Sequence, residues 1–429
     1  MPDAAQDPAQ PELPSPYQAG KRRGRARRTH TVAKVLLATV LTLGMVSGLS
    51  VAFLYRHLQG NLDVVVYGDD VLPDRPDVVP VEGPKKPLNI LVMGSDSRDC
   101  EGCGIDQEGG GGSDTTILFH LSADRQSAYG ISIPRDSLVE RPECISEDGD
   151  TIPGGTDAMW NEAFSYGGPS CTINQFETIT GIRLTNYIVV DFGSFKSMVD
   201  AIDGVEVCVP EDIDDQAHGI TIKKGTRTLN GNEALSYVRV RHGVGDGSDI
   251  GRIKRQQAFI ASMVSRVVSA GVLARPDRLI GFLNAATKSL KTDISSIKDI
   301  ADVGRQFQDI GLKRIRFITV PFEYEGARVR WTSDADILWD RILHDKPLGK
   351  LRVGSIGADQ APTGGPSSTS SESPSDDPSS STSETPSETS SEGSSDDPSS
   401  PSDTASPSDD SSESVDASAG DLAFAGLCT

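Results

Sequence analysis

An uncharged apolar run near the N-terminus divides this chain into parts that must fold in different surroundings. Residues 35–55 contain no charged side chain, and a helix of that length crosses a bilayer. A dense basic block, Lys21–Arg28, precedes the run, and basic residues beside an apolar span stay in the cytoplasm. The sequence therefore predicts a transmembrane signal anchor over 32–56, after a disordered basic cytoplasmic segment over 1–31, with the rest of the chain outside the cell membrane.

This N-terminus has two other interpretations, a cleaved signal peptide and a segment that binds nucleic acid. The apolar run is long for the core of a cleaved signal peptide and lacks a clean small-residue cleavage site, so an uncleaved anchor is favoured. The basic block could bind nucleic acid, but it is short and no helix-turn-helix pattern lies on the cytoplasmic side. We therefore expect membrane lipid, and no nucleic acid, as a partner.

The composition of the C-terminus sets a second boundary. Residues 361–429 contain 14 acidic residues and no Lys or Arg, so they supply two-thirds of the formal net charge of −21. A Ser-, Pro- and Asp-rich segment buries too little apolar surface to offset its ordering entropy. We expect a disordered tail over 356–429, and the acidic charge says little about the folded part.

Between the anchor and the tail, the pattern predicts an α/β domain. Residues 57–86 contain several prolines and predict an extracytoplasmic connector, which leaves 87–355 as a domain long enough for one large core. Strands are predicted over 88–93, 115–121, 128–133, 184–190, 205–209 and 314–320, and helices over 172–180, 194–202, 230–237, 250–269, 276–289 and 294–309. Strands that alternate with helices indicate a layered domain, and the short link after 115–121 predicts a mixed sheet.

All six cysteines follow the apolar run, on the side where disulfides form. Cys144 and Cys171 bracket a polar loop and are the favoured disulfide pair. Cys100 and Cys103 could bind a metal or close a small ring, and the ring is preferred because no second Cys-x-x-Cys accompanies them. Cys208 lies in an apolar run and is predicted to be a small buried hydrophobic residue. The last cysteine is left without a predicted partner.

Two aspartates are spaced as a cation site requires. Asp96 follows the first strand in a Gly- and Ser-rich turn, and Asp114 precedes the second strand. If these strands are antiparallel, both carboxylates lie at one edge of the sheet, where they could hold Mg²⁺ or Mn²⁺. Each aspartate alone would be an ordinary turn or cap residue, so the pair depends on what lies near it.

Several arginines supply that context, because guanidinium groups bind phosphate oxygens in a bidentate way. Arg135 follows a proline at the end of a strand. Arg239 and Arg241 are two residues apart, so an extended backbone would point both to one face. Arg252 and Gln256 are four apart on one face of a helix.

The start of that helix could add to anion binding, since a helix N-terminus carries a partial positive charge. Asp249 is predicted to cap it. The alternative for Arg252 and Arg255 is a solvated helix face without a ligand.

Together these segments resemble the LytR–CpsA–Psr family of cell-wall glycopolymer ligases. The resemblance rests, in order, on Asn89–Arg98, Ser113–Thr116, Ser132–Asp136, Asn161–Gly168, Val189–Phe192 and Leu229–Leu235, with the later arginines. It covers about 88–265, and the single span after a short N-terminus is also similar to that family.

The resemblance implies a three-layer αβα domain whose apolar pocket holds a polyprenyl chain. It also implies Mg²⁺-dependent transfer of a glycosyl phosphate from a polyprenyl-pyrophosphate-linked glycopolymer to peptidoglycan. By the same resemblance, Asp96 and Asp114 hold the metal and act in catalysis with Arg135. The pyrophosphate-binding set is Arg98, Arg135, Arg239, Arg241, Arg252, Arg255 and Gln256.

One position departs from the family pattern. Family members usually carry an arginine two residues before the second aspartate, where this chain has Gly112. Either Arg98 substitutes for it, or the site has one phosphate contact fewer. Two alternatives therefore stay open: a polyprenyl-pyrophosphate pyrophosphatase that uses water as acceptor, and a wall protein that binds lipid pyrophosphate without turnover.

Overall fold

The structure is a computed structural model that describes residues 31–96, 112–209, 211–215, 219–240, 248–269, 275–288, 290–352 and 354–361. The α-helices are α1 (Thr31–Gly60), α2 (Glu162–Thr180), α3 (Phe192–Ala201), α4 (Gly231–Arg239), α5 (Asp249–Ser269), α6 (Pro276–Thr287), α7 (Ile297–Ile310) and α8 (Ser333–Leu343). Short 3₁₀ helices span Leu312–Arg314, Gly349–Arg352 and Ala358–Gln360.

The strands vary from two to nine residues. They are β1 (Asp63–Val64), β2 (Leu88–Ser95), β3 (Ser113–Leu121), β4 (Ala128–Ile133), β5 (Ser137–Arg141), β6 (Cys144–Ile145), β7 (Thr151–Ile152), β8 (Gly155–Met159), β9 (Asn186–Val190), β10 (Val205–Val209), β11 (Ile213–Asp215), β12 (Ile220–Ile222), β13 (Gly225–Leu229), β14 (Leu290–Thr292), β15 (Ile315–Thr319), β16 (Phe322–Glu325), β17 (Arg328–Trp331) and β18 (Ile356–Gly357).

The chain separates into two compact units, with the boundary between Tyr55 and Arg56. The first contains most of α1. Within the described residues, Val32–Gly60 is the one helix long and apolar enough to cross a membrane. This matches the predicted span over 32–56.

The second unit is built on a mixed sheet of eight strands in the order β1-β14-β9-β2-β3-β4-β15-β18. The pairs β2/β3 and β3/β4 are antiparallel, whereas β2/β9 and β4/β15 are parallel. A smaller sheet, in the order β16-β17-β5-β8, combines β5 and β8, which come after β4, with β16 and β17, which come after β15. The predicted mixed sheet is therefore confirmed.

Helices cover both faces of the large sheet, because its central strands alternate two apolar faces. On β2, Leu91 and Met93 belong to a core cluster with residues of α2 and α8. Val92, the residue between them, faces a cavity closed by α3, α4 and α5. A strand whose successive side chains point to opposite faces produces this alternation. The result is the expected three-layer αβα arrangement.

Two boundaries differ from those predicted, and one strand predicted with its exact ends lies outside the large sheet. The predicted connector packs on the domain, since Leu72 is buried and Arg75 pairs with Glu177 at 2.5 Å. The tail was predicted from residue 356, but Ile356–Gly357 is β18 and pairs with β15. The predicted strand 205–209 is present as β10, yet it pairs only with β13, outside the large sheet. The rest of the predicted tail and residues 1–30 lie outside the described residues.

Candidate active site

The hairpin of β2 and β3 brings the two aspartates to the same end of the sheet. Its register pairs Gly94 with Thr115 and Ser95 with Ser113, with an irregularity between these pairs. Asp96 then follows β2 directly beside the start of β3. Its Oδ1 accepts a hydrogen bond from the Gly112 amide at 2.7 Å. The antiparallel pairing on which the predicted carboxylate pair depended is present.

Arg135 lies in a ring of carboxylates at this edge. It follows β4, and its Nη1 donates to Asp114 Oδ1 at 2.6 Å. Its Nε lies 3.4 Å from Asp249 Oδ1 and 3.6 Å from Asp136 Oδ1. The side chain is largely buried, with 21% exposed. One guanidinium therefore connects the β3 aspartate to the start of α5.

This ring of carboxylates also determines the charge state of Arg135. Burial alone lowers the pKa of the guanidinium, but the attraction of Asp114, Asp249 and Asp136 outweighs it and leaves that pKa raised. Arg135 is therefore a permanent cation, already neutralised by carboxylates that an incoming phosphate would have to replace.

Helix α5 presents two predicted residues on one face. Arg252 and Gln256 are both buried, at 2% and 7% exposure, and both line the cavity under the sheet. Arg252 Nη2 lies 2.5 Å from Asp249 Oδ1, and Gln256 Nε2 donates to the Val238 carbonyl at 3.2 Å. Burial excludes the solvated helix face for Arg252.

The predicted cap of α5 is wrong. The Gly251 amide donates to Ser248 Oγ at 3.0 Å, so the Ser248 side chain satisfies one of the free amides of the first turn. The Asp249 carboxylate is directed to Arg252 and Arg135 instead. It holds two cations of the site together.

Arg239 reaches the cavity from a helix, not from the extended backbone that the sequence suggested. Asn230 and Glu233 form a capping box at the start of α4, and the helix continues to Arg239. The Arg239 guanidinium carbon lies 4.4 Å from the centre of the Phe192 ring, a cation–π distance. Arg241 lies outside the described residues, so the predicted fork with Arg239 stays a prediction.

Arg255 differs from its neighbours on α5. It is 1% exposed and donates to the Val240 carbonyl, and it is absent from the residues that line the cavity. Its contact fastens the end of α4 to α5. Arg98 lies outside the described residues, so its predicted role is not decided by the structure.

The cavity itself has apolar walls and a polar end. Its volume is about 220 Å³. The apolar lining comes from the sheet and from α3, α4 and α5: Val92, Ile117, Phe119, Val190, Phe192, Phe195, Met198, Leu235, Val238, Phe259, Ile260 and Met263. Gly94, Asp114, Thr115, Asp191, Arg239, Arg252 and Gln256 complete it. Such a shape accepts a long apolar group whose end carries negative charge.

Gly112 lies beside Asp96, at the end of the sheet that carries both aspartates. A Cβ built on Gly112 would lie 3.5 Å from Ser165 Oγ and 3.9 Å from Asp96 Oδ2, which are ordinary contact distances. A longer side chain at this position would therefore start beside the Asp96 carboxylate.

One predicted disulfide is present and one cysteine prediction is wrong. Cys144 and Cys171 are bonded, which ties β6 to α2. Cys208 is buried as predicted, but it is also disulfide-bonded, with a partner outside the described residues. The predicted ring of Cys100 and Cys103 also lies outside them.

Three side chains of the site were missed as contributors. Asp136 flanks Arg135, Asp249 links it to Arg252, and Phe192 supports Arg239. The signal for Phe192 was its place two residues after the end of β9, where residues of open α/β sheets contact ligands. The two carboxylates gave no such signal, because acidic residues beside arginines are common on solvated surfaces.

Comparisons with known proteins identify the family of this chain. A family model described as the LytR_cpsA_psr family matches residues 59–339. The cell wall biosynthesis protein LcpA of Corynebacterium glutamicum is 31% identical over 259 residues, or 54% of this chain and 49% of the relative. The polyisoprenyl-teichoic acid–peptidoglycan teichoic acid transferase TagV of Bacillus subtilis is 31% identical over 276 residues, or 62% and 65%.

The chain thus spans about half to two thirds of the length of these curated relatives. Among solved structures, a Streptococcus agalactiae protein is 22% identical with a TM-score of 0.50, covering 62% of this chain and 90% of that one. At this identity the likeness shows the fold alone.

Proposed function

The chain belongs to the LytR–CpsA–Psr family, and we propose that it transfers a glycopolymer from a polyprenyl-pyrophosphate carrier to peptidoglycan. In this reaction a peptidoglycan hydroxyl oxygen forms a bond to the phosphorus next to the sugar. The bond from that phosphorus to the oxygen bridging the two phosphates breaks. Polyprenyl phosphate leaves, and one proton is released for each transfer.

The observation that carries this proposal is the cavity between the sheet and α5. Its apolar walls suit a prenyl chain, because burial of each methylene group is favourable by about 0.8 kcal/mol. Its charged end suits the pyrophosphate, since Arg239 and Arg252 supply cations and Gln256 supplies an amide beside them. The name of the TagV relative, a transferase from polyisoprenyl-linked teichoic acid to peptidoglycan, supports the same substrate class.

Within this proposal, the chain's own residues bind and orient the donor. Arg239 and Arg252 hold the pyrophosphate oxygens, with Arg239 kept in place by the Phe192 ring. Arg135 contacts the transferring phosphate once the ion pair with Asp114 opens. Arginines placed before the reaction stabilise the charge that shifts to the leaving phosphate.

Asp96 and Asp114 are proposed to hold Mg²⁺ or Mn²⁺. The described residues contain no group of three or more acidic, His or Cys ligands, yet two carboxylates suffice, because Mg²⁺ takes one or two together with phosphate oxygens and waters. The amide of Gly112 fixes the orientation of Asp96. When bound, the cation neutralises phosphate oxygens and so favours attack on phosphorus.

We further propose that α1 crosses the membrane once, with the N-terminus in the cytoplasm and the domain outside. The basic block before the helix favours this orientation. The Cys144–Cys171 disulfide is also in keeping with an oxidising compartment.

A reconstituted assay tests the proposal. Full-length protein in detergent is given a lipid-linked donor, Mg²⁺ and peptidoglycan, and the covalent polymer adduct is measured. Arg135→Ala and Arg239→Ala should each lower transfer by about 10²–10³-fold, the loss typical of one electrostatic contact to a transition state. Arg305→Ala is the matched control, because Arg305 is 67% exposed and its ion pair among the described residues is with Asp302 on α7.

Undiminished transfer by both variants would contradict the site assignment. Two other outcomes correspond to the alternatives left open by the sequence. Release of lipid phosphate without an adduct would indicate a pyrophosphatase. Binding of the donor without any release would indicate a protein that binds lipid pyrophosphate without turnover.

A further inference from the structure

A second cavity lies beside the site, on the other side of Asp249. Its volume is about 180 Å³, and its lining includes Asp136, Ser248, Asp249, Tyr324 and Val329. None of its lining residues also lines the apolar cavity between the sheet and α5, which we call the prenyl-type cavity. Asp249 nonetheless joins the two, since its carboxylate lies 2.5 Å from Arg252 of the first cavity and 3.4 Å from Arg135.

The far wall of this second cavity is a hairpin fixed to the segment that carries Arg135. Strands β16 and β17 pair antiparallel, and β17 pairs with β5. The Val329 amide donates to the Asp136 carbonyl at 3.3 Å. The Arg328 guanidinium donates to Asp136 Oδ1 at 3.2 Å. These contacts fix the position of the hairpin relative to Asp136, the residue next to Arg135.

The lining offers groups that suit a neutral polyol. The carboxylates of Asp136 and Asp249 are already neutralised by arginines, and their oxygens accept hydrogen bonds from hydroxyl groups. Tyr324 is 64% exposed at the rim, and its ring has Phe322 packed edge-on at 5.5 Å. An exposed aromatic ring offers a flat apolar surface with a polar hydroxyl, which suits the face of a sugar ring.

We propose that this cavity binds the acceptor sugar of the peptidoglycan strand, with Tyr324 as its stacking platform. The inference rests on the proposed transfer function. It assigns a binding site to the acceptor, which the prenyl-type cavity does not hold. The donor then lies on the Arg252 side of Asp249 and the acceptor on the Asp136 side. Arg135 lies 3.4 Å from Asp249 and 3.6 Å from Asp136, so a hydroxyl in the second cavity lies close to the guanidinium that contacts the transferring phosphate.

The test measures acceptor and donor separately on the full-length protein. Transfer is followed against the concentration of soluble peptidoglycan glycan fragments, and the donor KM at saturating acceptor reports the donor side. Tyr324→Ala should raise the acceptor KM by about tenfold, the upper range for one aromatic contact, and leave the donor KM within about twofold. Tyr324→Phe should keep the acceptor KM.

Two further variants sharpen the result. Tyr166→Ala removes another exposed tyrosine, 57% exposed, which is absent from the lining of this cavity, and should change nothing. Ala327→Trp should fill the cavity from its exposed rim and raise the acceptor KM as well.

Normal acceptor KM values for both Tyr324→Ala and Ala327→Trp, with transfer intact, would overturn the acceptor site and leave the proposed function standing. If wild-type protein shows no transfer, the proposed function fails instead. Direct binding of the same glycan fragments, measured by calorimetry, then decides. Binding weakened by Tyr324→Ala supports the cavity, and binding insensitive to it, or displaced by inorganic pyrophosphate, refutes it.

Discussion

The Cys144–Cys171 bond allows a quantitative prediction about stability. It closes a loop with a sequence separation of 27 residues, between β6 and the middle of α2. A cross-link of that length lowers the entropy of the unfolded chain by an amount worth about 3.5 kcal/mol at 25 °C. Cys144→Ala and Cys171→Ala should each lower the free energy of unfolding by about that amount.

The double variant provides the internal control. Because either single substitution already breaks the bond, the double variant should cost little more than one single variant, apart from lost packing of sulfur. The two effects should thus be strongly non-additive. Without the covalent link, two small substitutions in contact with the same neighbours would instead give small costs that add.

The assay is urea unfolding of the full-length protein in detergent, followed by tryptophan fluorescence. All three tryptophans report on the domain, since Trp331 lies 5.8 Å from Trp160 and 5.6 Å from Trp339 between ring centres. At about 2–4 °C per kcal/mol, the melting temperature should also fall by about 10 °C. Single-variant costs below about 1 kcal/mol that sum in the double variant would refute the loop-entropy reasoning.

Three other predictions follow from the site and its surroundings. Gly112→Arg should fold normally and tighten donor binding, because its Cβ meets only ordinary contacts; a drop in melting temperature or weaker donor binding contradicts this. Burial raises the pKa of Asp293 despite hydrogen bonds from the Tyr187 amide and Asn186, so its stabilising effect is present below the unfolded pKa of about 3.9 and is lost as pH rises through the folded pKa. Asp293→Asn should therefore raise the urea midpoint at pH 7 and change it little near pH 3, and an equal gain at both pH values would exclude the pKa as cause. Met263→Trp should fill part of the prenyl-type cavity and weaken binding of a long-chain lipid pyrophosphate, measured by competition, far more than binding of inorganic pyrophosphate; equal losses would exclude the cavity as the lipid site.

The central strands could be predicted because their apolar runs are long and lie between clear turns. β4 was predicted with its exact ends, and β2 and β3 within two residues. The smaller sheet was missed, since strands such as β16 are short and mostly exposed and carry no apolar alternation. Its register depends on contacts with β5, which the sequence pattern does not contain.

The positions of some arginines could likewise be predicted from the sequence, and those of others could not. The shared face of Arg252 and Gln256 follows from helical spacing alone, and the structure has it. Extended backbone was expected at Arg239 because the predicted helix ended at residue 237. The helix that begins at the capping box of Asn230 and Glu233 instead continues to Arg239. The sequence pattern gave Arg252 and Arg255 the same prediction. They differ because α4 packs against α5 and buries Arg255 on a different side of the helix.

The carboxylates around Arg135 have a consequence for which anions can compete at this site. Since Asp114, Asp136 and Asp249 already neutralise the guanidinium, an anion gains access only by exchange, displacing an existing partner. Inorganic phosphate by itself competes only weakly with these carboxylates for Arg135. Under the proposed function, a pyrophosphate bound together with a divalent cation gives the displaced Asp114 a new counter-charge. On that proposal the site favours a pyrophosphate with its metal over a simple anion.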